Sequence, residues 1–294
     1  MKKIILFYNP VSGNATFKRR LDEIVEMFQR REILPMLYRT CPGENSDFVK
    51  FVCESRADGV VAAGGDGTLH LAANLLKKNK IDLPLGIIGS GTSNDFATHL
   101  EIDGGEDYFD VIAGGITRPI DLGLANGKEY FVNVASAGAF TSVAHEVNVR
   151  LKNFIGKPAY YLQGIKELPN FKSVPLKITA DGKFFETDAF LFLILNSPAV
   201  AGLKKVTDKA KIDDGKLDLI VIKKTGAANL IALAKDIFAG KCVRESPEIF
   251  YIQAKNFEID SEIELKGDLD GEQGDSLPLK IETIPNALNF FARL

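Results

Sequence analysis

The sequence predicts two domains of different class: an α/β domain with a doubly wound parallel sheet at residues 1–120, and an antiparallel β-sandwich at 121–283. In the first part, short apolar segments alternate with helical periodicity, which is typical of an open parallel sheet. In the second part, Asn-Gly and Asp-Gly pairs separate short alternating segments, and such pairs indicate β-hairpins. The apolar stretch 284–294 is expected to return and complete the first domain.

Four strands are predicted in the first domain, at 4–8, 33–38, 60–63 and 85–88. One helix that carries Phe17, Leu21, Ile24, Val25 and Phe28 is expected after the first strand. Ser46 is expected to cap the helix after the second strand. Polar turns at 9–14, 64–68 and 89–95 follow three of the strands. Because carboxyl ends of parallel strands face the ligand crevice, we expect these turns to converge.

The turn Gly64-Gly65-Asp66-Gly67-Thr68 joins a buried strand to a helix. This geometry aims backbone N–H groups at an anion, and glycines let the backbone approach a phosphate closely. Asp66 would repel a bare phosphate, so it suits a ribose hydroxyl, a magnesium ion or an ordered water beside a nucleotide. The alternative is a tight strand-to-helix connection without a ligand.

The second domain is expected to contain hairpins at Asn126-Gly127, Asp181-Gly182 and Asp214-Gly215. A strand is expected around Ile263 and Leu265. Helices are expected at about 141–168 and around Leu230 to Phe238.

Composition and charge narrow the class of protein. The 294 residues suffice for two cores, and 46% hydrophobic with 26% charged residues is ordinary for a globular protein. The net charge of −3 argues against nucleic acid as the main partner. Cys41, Cys53 and Cys242 are scattered, which fits a reduced cytoplasmic protein. No apolar run reaches the ~18 residues of a membrane span, so we expect any membrane contact to be peripheral.

Six motifs occur in order: Asn-Pro-Val-Ser-Gly at 9–13, Gly-Gly-Asp-Gly-Thr at 64–68, Gly-Thr-Ser-Asn-Asp-Phe at 91–96, Ile-Asp-Leu-Gly at 120–123, Lys-Ile-Asp-Asp-Gly at 211–215, and Leu-Asp-Gly-Glu at 269–272. This series resembles the bacterial soluble diacylglycerol kinase family of lipid kinases, which is related to eukaryotic diacylglycerol, sphingosine and ceramide kinases. The resemblance covers nearly the whole chain. It implies a nucleotide-binding α/β domain of the NAD kinase/diacylglycerol kinase type and a β-rich domain for the lipid substrate.

By matching position, the resemblance implies ATP as cofactor, with a set of contacts that offers amide, hydroxyl and glycine groups: Asn9, Ser12, Gly13, Thr40, Gly64, Gly65, Asp66, Gly67, Thr68 and Thr92. It implies Asp66 and Asp95 as catalytic residues that organise Mg²⁺ or its waters, with Asp121 a weaker third. Each of these aspartates could equally cap a turn or a helix.

The resemblance also implies Glu272 as the catalytic base that accepts the proton of the attacking hydroxyl. The alternative is that Asp270-Gly271-Glu272 is only a solvated hairpin. A structural Mg²⁺ site is implied at the Asp214 carboxylate and the carbonyls of Lys211 and Lys216, where an Asp-Gly hairpin is the alternative.

The implied acceptor is a lipid, with diacylglycerol as the default, and the implied location is cytoplasmic and peripherally membrane-associated. The segment 151–171 mixes aromatic, apolar and lysine residues, which suits a membrane surface or a helix packed on the β domain. A homodimer is left open.

The sequence departs from the family where Asn-Glu commonly follows the glycine turn, because His70-Leu71 stands there. This departure leaves the catalytic rate in doubt. It also makes a non-catalytic nucleotide- or lipid-binding protein an alternative function. The nearest rival is an NAD kinase, which also uses a Gly-Gly-Asp-Gly-Thr turn.

Overall fold

The structure is a computed structural model that describes residues 1–43, 45–90, 94–102, 105–138, 172–200, 202–203 and 206–293, with 14–16 and 238 described by their backbone alone. The chain divides into two compact units. Unit 1 comprises Met1–Asp121 and Asn286–Leu294, and unit 2 comprises Leu122–Pro285.

In the described residues of unit 1, four parallel strands lie in the order β2-β1-β3-β4: β1 Lys2–Tyr8, β2 Ile33–Arg39, β3 Gly59–Gly64 and β4 Leu85–Gly89. The end of the strand Leu279–Phe291 adds to this sheet, because Phe290 pairs in parallel with Leu85 of β4. The central strands are apolar and fully enclosed, since Ile4 to Phe7 have no exposed surface and all of β3 is buried. A strand buried on both faces is typical of a parallel sheet covered by helices.

The described part of unit 1 contains six helices: α1 Ser12–Arg19, α2 Leu21–Gln29, α3 Asp47–Ser55, α4 Asp66–Lys78, α5 Asp95–His99 and α6 Asp107–Gly114. Aromatic contacts link helices to each other and to strands. Phe28 of α2 meets Phe109 of α6 edge to face, and Phe48 of α3 meets Phe7 of β1 in the same way. The doubly wound α/β fold predicted for this part is confirmed.

Two local predictions in unit 1 are wrong. The single helix expected through Phe17 and Phe28 is two helices, because the chain tightens at Arg20, whose N–H donates to the Phe17 carbonyl at 3.2 Å. Ser46 does precede α3, but its side chain makes no capping hydrogen bond. Its backbone is already helical, with φ −65° and ψ −28°, whereas a side-chain cap needs an extended N-cap.

Unit 2 is built from antiparallel strands: β5 Thr117–Ala125, which begins in unit 1, β6 Glu129–Phe131, β7 Val134–Gly138, β8 Val174–Ala180, β9 Lys183–Leu195, β10 Leu217–Lys223, β11 Ile249–Ala254, β12 Asn256–Asp260, β13 Lys266–Leu269, β14 Glu272–Ser276 and β15 Leu279–Phe291, which ends in unit 1. One helix, α7 Ala227–Phe238, lies between β10 and β11 in the chain.

The long strand β9 organises unit 2. Its first half pairs with β8, and its second half pairs with β7 on one side and β10 on the other. Inward residues such as Ile178, Phe192 and Leu219 form one core, and Leu230 and Leu233 of α7 join a second cluster with Ile220 and other strand residues. The predicted antiparallel β-sandwich is confirmed.

The predicted hairpin at Asp214-Gly215 is wrong, because residues 211–216 form an irregular turn and β10 pairs with β9 and β11 instead. Ile263 lies in a bend and Leu265 in irregular chain, and the strand begins at Lys266. The helix expected at 141–168 lies outside the described residues.

Candidate functional site

The loop after β1 packs directly on the loop after β4. The Asn9 side-chain oxygen accepts the Val11 N–H at 3.0 Å, and α1 then starts at Ser12. Gly13 has a positive φ of +54°, and a Cβ at this position would lie 1.7 Å from the carbonyl oxygen of Ser90. Only glycine allows this approach of two backbones.

Hydrogen bonds join these loops to the end of β3. The Asn9 N–H donates to the Ala63 carbonyl at 3.0 Å, and the Ser90 N–H donates to the Gly64 carbonyl at 2.8 Å. The hydroxyl oxygens of Ser90 and Ser12 are 3.4 Å apart. The turns that follow β1 and β3 therefore lie together with Ser90, the described residue directly after β4, as expected from the order of the strands.

The glycine turn after β3 leads directly into α4. Gly65 is extended at the N-cap position, and its carbonyl accepts the N–H groups of Thr68 and Leu69. Gly64 admits no side chain, since a Cβ would lie 2.1 Å from the Thr68 hydroxyl oxygen. The turn thus presents the N-terminus of a 13-residue helix, whose N–H groups and dipole favour an anion.

Asp66 and Asp95 each begin the helix that follows one of two neighbouring strands. Asp66 is the first residue of α4, and Asp95, which is buried, is the first residue of α5. Their strands end side by side, with Gly64 of β3 paired to Gly89 of β4. Both carboxylates therefore stand at the carboxyl edge of the same sheet.

Asp121 has a structural contact. Its carboxylate is buried and accepts the backbone N–H of Asn286 at 2.8 Å, where Asn286 has a φ of +49°. This bond fixes the place where the chain re-enters unit 1. This hydrogen bond explains why an aspartate is buried at position 121, and a catalytic role is not needed to explain it.

Two further polar residues that the sequence analysis named, Thr40 and His70, are buried in unit 1. Thr40 follows β2 and donates its N–H to the Tyr8 carbonyl at 2.9 Å. His70 is buried in α4, where the side-chain amide of Asn74 lies 3.3 Å from its Nε2. The imidazole of His70, which stands at the departure from the family pattern, is thus in contact with an amide of its own helix. Of the other predicted contacts, Gly67 is the second residue of α4, and Thr92 lies outside the described residues.

Glu272 is exposed and begins β14 of unit 2. Asp270 and Gly271 make the turn before it with positive φ values of 54° and 92°, which is the conformation of a tight type I′ hairpin. The Asp270 carboxylate accepts the N–H groups of Val132 at 2.7 Å, of Asn133 at 2.8 Å and of Val134 at 2.9 Å. Sequence reasoning included Asp270 in a motif but missed this contact.

The predicted metal ligand Asp214 lies in the turn before β10. Its two carboxylate oxygens accept the Lys216 N–H and the Gln253 side-chain amide, both at 3.0 Å. The same amide lies 3.4 Å from Asp218, which is fully buried and bonded to the Tyr251 hydroxyl. Burial raises the pKa of the Asp218 carboxyl, and the charge of Asp214 raises it further.

The ligands predicted for Mg²⁺, the Asp214 carboxylate and the carbonyls of Lys211 and Lys216, are all oxygen donors. Two carboxylates share one amide, and the carbonyl oxygens of Lys211 and Lys216 belong to the same short turn. Mg²⁺ prefers such oxygen ligands and keeps several waters. Among the residues that the structure describes, no group of three or more His, Cys, Asp and Glu side chains is arranged to hold a metal.

No helix in the described part of the chain is long and apolar enough to cross a bilayer. The segment 151–171, expected to face either a membrane or the β domain, lies outside the described residues.

Comparison with known proteins identifies the family. Residues 3–125 match the diacylglycerol kinase catalytic domain, and residues 133–292 match the YegS C-terminal NAD kinase beta sandwich-like domain. A diacylglycerol kinase of Bacillus subtilis strain 168 is 34% identical over 282 residues, covering 95% of this chain and 92% of that protein. One of Staphylococcus haemolyticus is 36% identical over 276 residues, covering 93% and 83%.

A solved structure gives the same result. The crystal structure of a diacylglycerol kinase from Bacillus anthracis strain Sterne has a TM-score of 0.80 and 29% identity, and the match covers 99% of this chain and 97% of that one. The chain therefore belongs to the diacylglycerol kinase family, and it is a phosphotransferase with an alcohol acceptor.

Proposed function

We propose that this lipid kinase transfers the γ-phosphoryl group of Mg·ATP to the hydroxyl of diacylglycerol, giving phosphatidic acid. The observation that supports ATP binding is the position of the glycine turn 64–68, which begins α4 next to the loops after β1 and β4. Support for the acceptor comes from the relatives, which are named diacylglycerol kinase.

ATP would bind at the carboxyl edge of the unit 1 sheet. The N-terminus of α4 would face its phosphates. Hydroxyl groups would come from Ser12, Thr40, Thr68 and Thr92, and an amide from Asn9. The glycines would allow the backbone to approach the nucleotide closely: Gly13, Gly64, Gly65 and Gly67. The sequence contains no P-loop lysine motif, so backbone N–H groups and magnesium would offset the triphosphate charge. Asp66 and Asp95 would hold that magnesium or its waters.

Glu272 would act as the general base. Its carboxylate would take the proton of the lipid hydroxyl as that oxygen bonds to the γ-phosphorus, and the bond from phosphorus to the β,γ-bridging oxygen breaks to release ADP. Such transfers depend mainly on positioning and on neutralising charge. An exposed glutamate on a rigid turn suits this role better than a buried one, because it can reach a bound substrate.

A test of the acceptor compares purified compounds in mixed micelles: diacylglycerol, monoacylglycerol, ceramide and phosphatidylglycerol, with NAD as the soluble acceptor. We expect diacylglycerol to give the highest kcat/KM. Phosphorylation of NAD alone would replace this proposal with the NAD kinase function. Binding of ATP without transfer to any acceptor would favour a non-catalytic binding protein.

A second magnesium ion would support the structure of unit 2 at Asp214 and the carbonyls of Lys211 and Lys216. We expect Mg²⁺ to raise the melting temperature of the nucleotide-free protein, since a ligand at 100 times its Kd stabilises by ~2.7 kcal/mol. Asp214→Ala should lose this response. Asp213→Ala removes a neighbouring charge of the same turn and should keep it. An equal Mg²⁺ response in all three proteins would refute the site.

Localisation in the cytoplasm with peripheral membrane contact is also part of this proposal. The segment 151–171 is one candidate surface for that contact, and a homodimer is one candidate assembly. Sedimentation with anionic lipid vesicles, and the oligomeric state in solution, would test the two points separately.

A further inference from the structure

The turn that carries Glu272 is tied to one other segment of unit 2 by four hydrogen bonds. Three come from the N–H groups of Val132, Asn133 and Val134 to the Asp270 carboxylate. The fourth runs from the Asp270 N–H to the Val134 carbonyl at 2.9 Å. A carboxylate that accepts several N–H groups makes strong, directional bonds, so the main chain two residues before Glu272 has little freedom.

The receiving segment is itself anchored by buried polar groups. The Asn196 side-chain amide donates to the Val132 carbonyl and its N–H donates to the Asn133 carbonyl, both at 2.8 Å. The Asn133 amide donates to the Ala199 carbonyl at 2.8 Å, and the Ser197 hydroxyl bonds to the Asn133 oxygen. Asn133, Asn196 and Ser197 are buried. These buried hydrogen bonds between side-chain amides and backbone carbonyls restrict the movement of segment 132–134.

A second turn in unit 2 provides a comparison. Asp181-Gly182 joins β8 to β9 with positive φ values of 45° and 80°. The Asp181 carboxylate accepts the N–H groups of Lys255 at 3.0 Å and Asn256 at 2.9 Å. The same type of contact, an aspartate carboxylate that accepts backbone N–H groups, thus holds a turn without a candidate catalytic residue. A mutation at this turn shows the effect of turn stability apart from any effect on catalysis.

We propose that Asp270 is a positioning residue for Glu272. The proposal rests on the proposed role of Glu272 as base. The negative charge of Asp270 gathers the three N–H groups of 132–134, and their bonds set the direction in which the chain enters β14, so that the Glu272 carboxylate is held in place before the substrate binds. Displacement of a reacting group by ~1 Å can cost about 10²-fold in rate.

The test uses Asp270→Asn with Asp181→Asn as matched control. Asparagine tolerates the positive φ of both turns, so the change removes the charge and leaves one side-chain oxygen, while its NH₂ group faces an N–H donor. We expect Asp270→Asn to lower kcat at least ~10-fold with the KM for ATP unchanged. Asp181→Asn should keep wild-type kcat, even if it melts earlier.

A double-mutant cycle with Glu272→Gln shows whether Asp270 acts through Glu272. If it does, adding Asp270→Asn to Glu272→Gln lowers kcat by less than ~2-fold further, because coupled residues are not additive. A multiplicative loss in the double variant would overturn the positioning role, and so would equal kcat in Asp270→Asn and wild type.

A second pair of variants covers the case in which Asp270→Asn does not fold. Gly271 and Gly182 both have positive φ, and no described atom lies within 4 Å of a Cβ added at either. Gly271→Ala should lower kcat more than Gly182→Ala at a similar loss of melting temperature, and equal kcat in this pair would contradict the inference. Full turnover of Glu272→Gln, by contrast, would overturn the base assignment of the proposed function itself.

Discussion

Replacing Glu272 by glutamine is expected to lower turnover by ~10² or more, the typical contribution of a general base, while ATP binding stays nearly unchanged. Glutamine keeps the size of the side chain but cannot accept a proton from the lipid hydroxyl. The exposed position of Glu272 means that its loss should not destabilise the fold. Steady-state phosphate transfer and ATP titration of the same preparations measure the two quantities.

Glu282→Gln is a suitable control, because Glu282 is an exposed glutamate of β15 in the same unit. It should retain wild-type turnover. Full activity of Glu272→Gln would leave the base unassigned, and an equal loss in both variants would point to a general effect of charge.

Replacing Gly13 by alanine is expected to disrupt the loops that receive the nucleotide. The new Cβ would overlap the Ser90 carbonyl oxygen, so the loops after β1 and β4 must separate. We expect ATP affinity to fall at least tenfold, equivalent to ~1.4 kcal/mol, measured by calorimetric titration. The melting temperature should fall as well, since alanine is strained at this positive φ by about 1–2 kcal/mol.

Gly105→Ala is a control that separates the effect of backbone strain from the effect of the overlap with Ser90. Gly105 lies in the same unit with a φ of +62°, but no described atom lies within 4 Å of an added Cβ. It should show the backbone strain without the loss of ATP affinity. Wild-type affinity in Gly13→Ala would mean that the close packing of these loops is not needed for nucleotide binding.

The fold class could be predicted because both patterns are local. The apolar runs of β3 and β4 are buried on both faces, and the Asp181-Gly182 hairpin joins strands that are adjacent in the chain. The irregularities could not be predicted. No proline or glycine marks the break at Arg20, and Asp214-Gly215 indicates a turn without showing that β10 pairs with distant β9 and β11.

The sequence predicted the polar turns of unit 1 but not the contact that Asp270 makes in unit 2. Asn9, Gly64 and Asp66 stand in short motifs directly after strands, and the parallel order of the strands brings these motifs together. The contact of Asp270 could not be read from the sequence, because its partners are 136 to 138 residues away. Long-range pairing of this kind depends on how β13 aligns with β7.

The most direct test of lipid kinase activity is phosphate transfer from γ-labelled Mg·ATP to a mixed lipid extract, followed by extraction into organic solvent. We expect labelled product in the organic phase, with the mass of phosphatidic acid, from the wild-type protein. Absence of labelled lipid in the presence of bound ATP would contradict it.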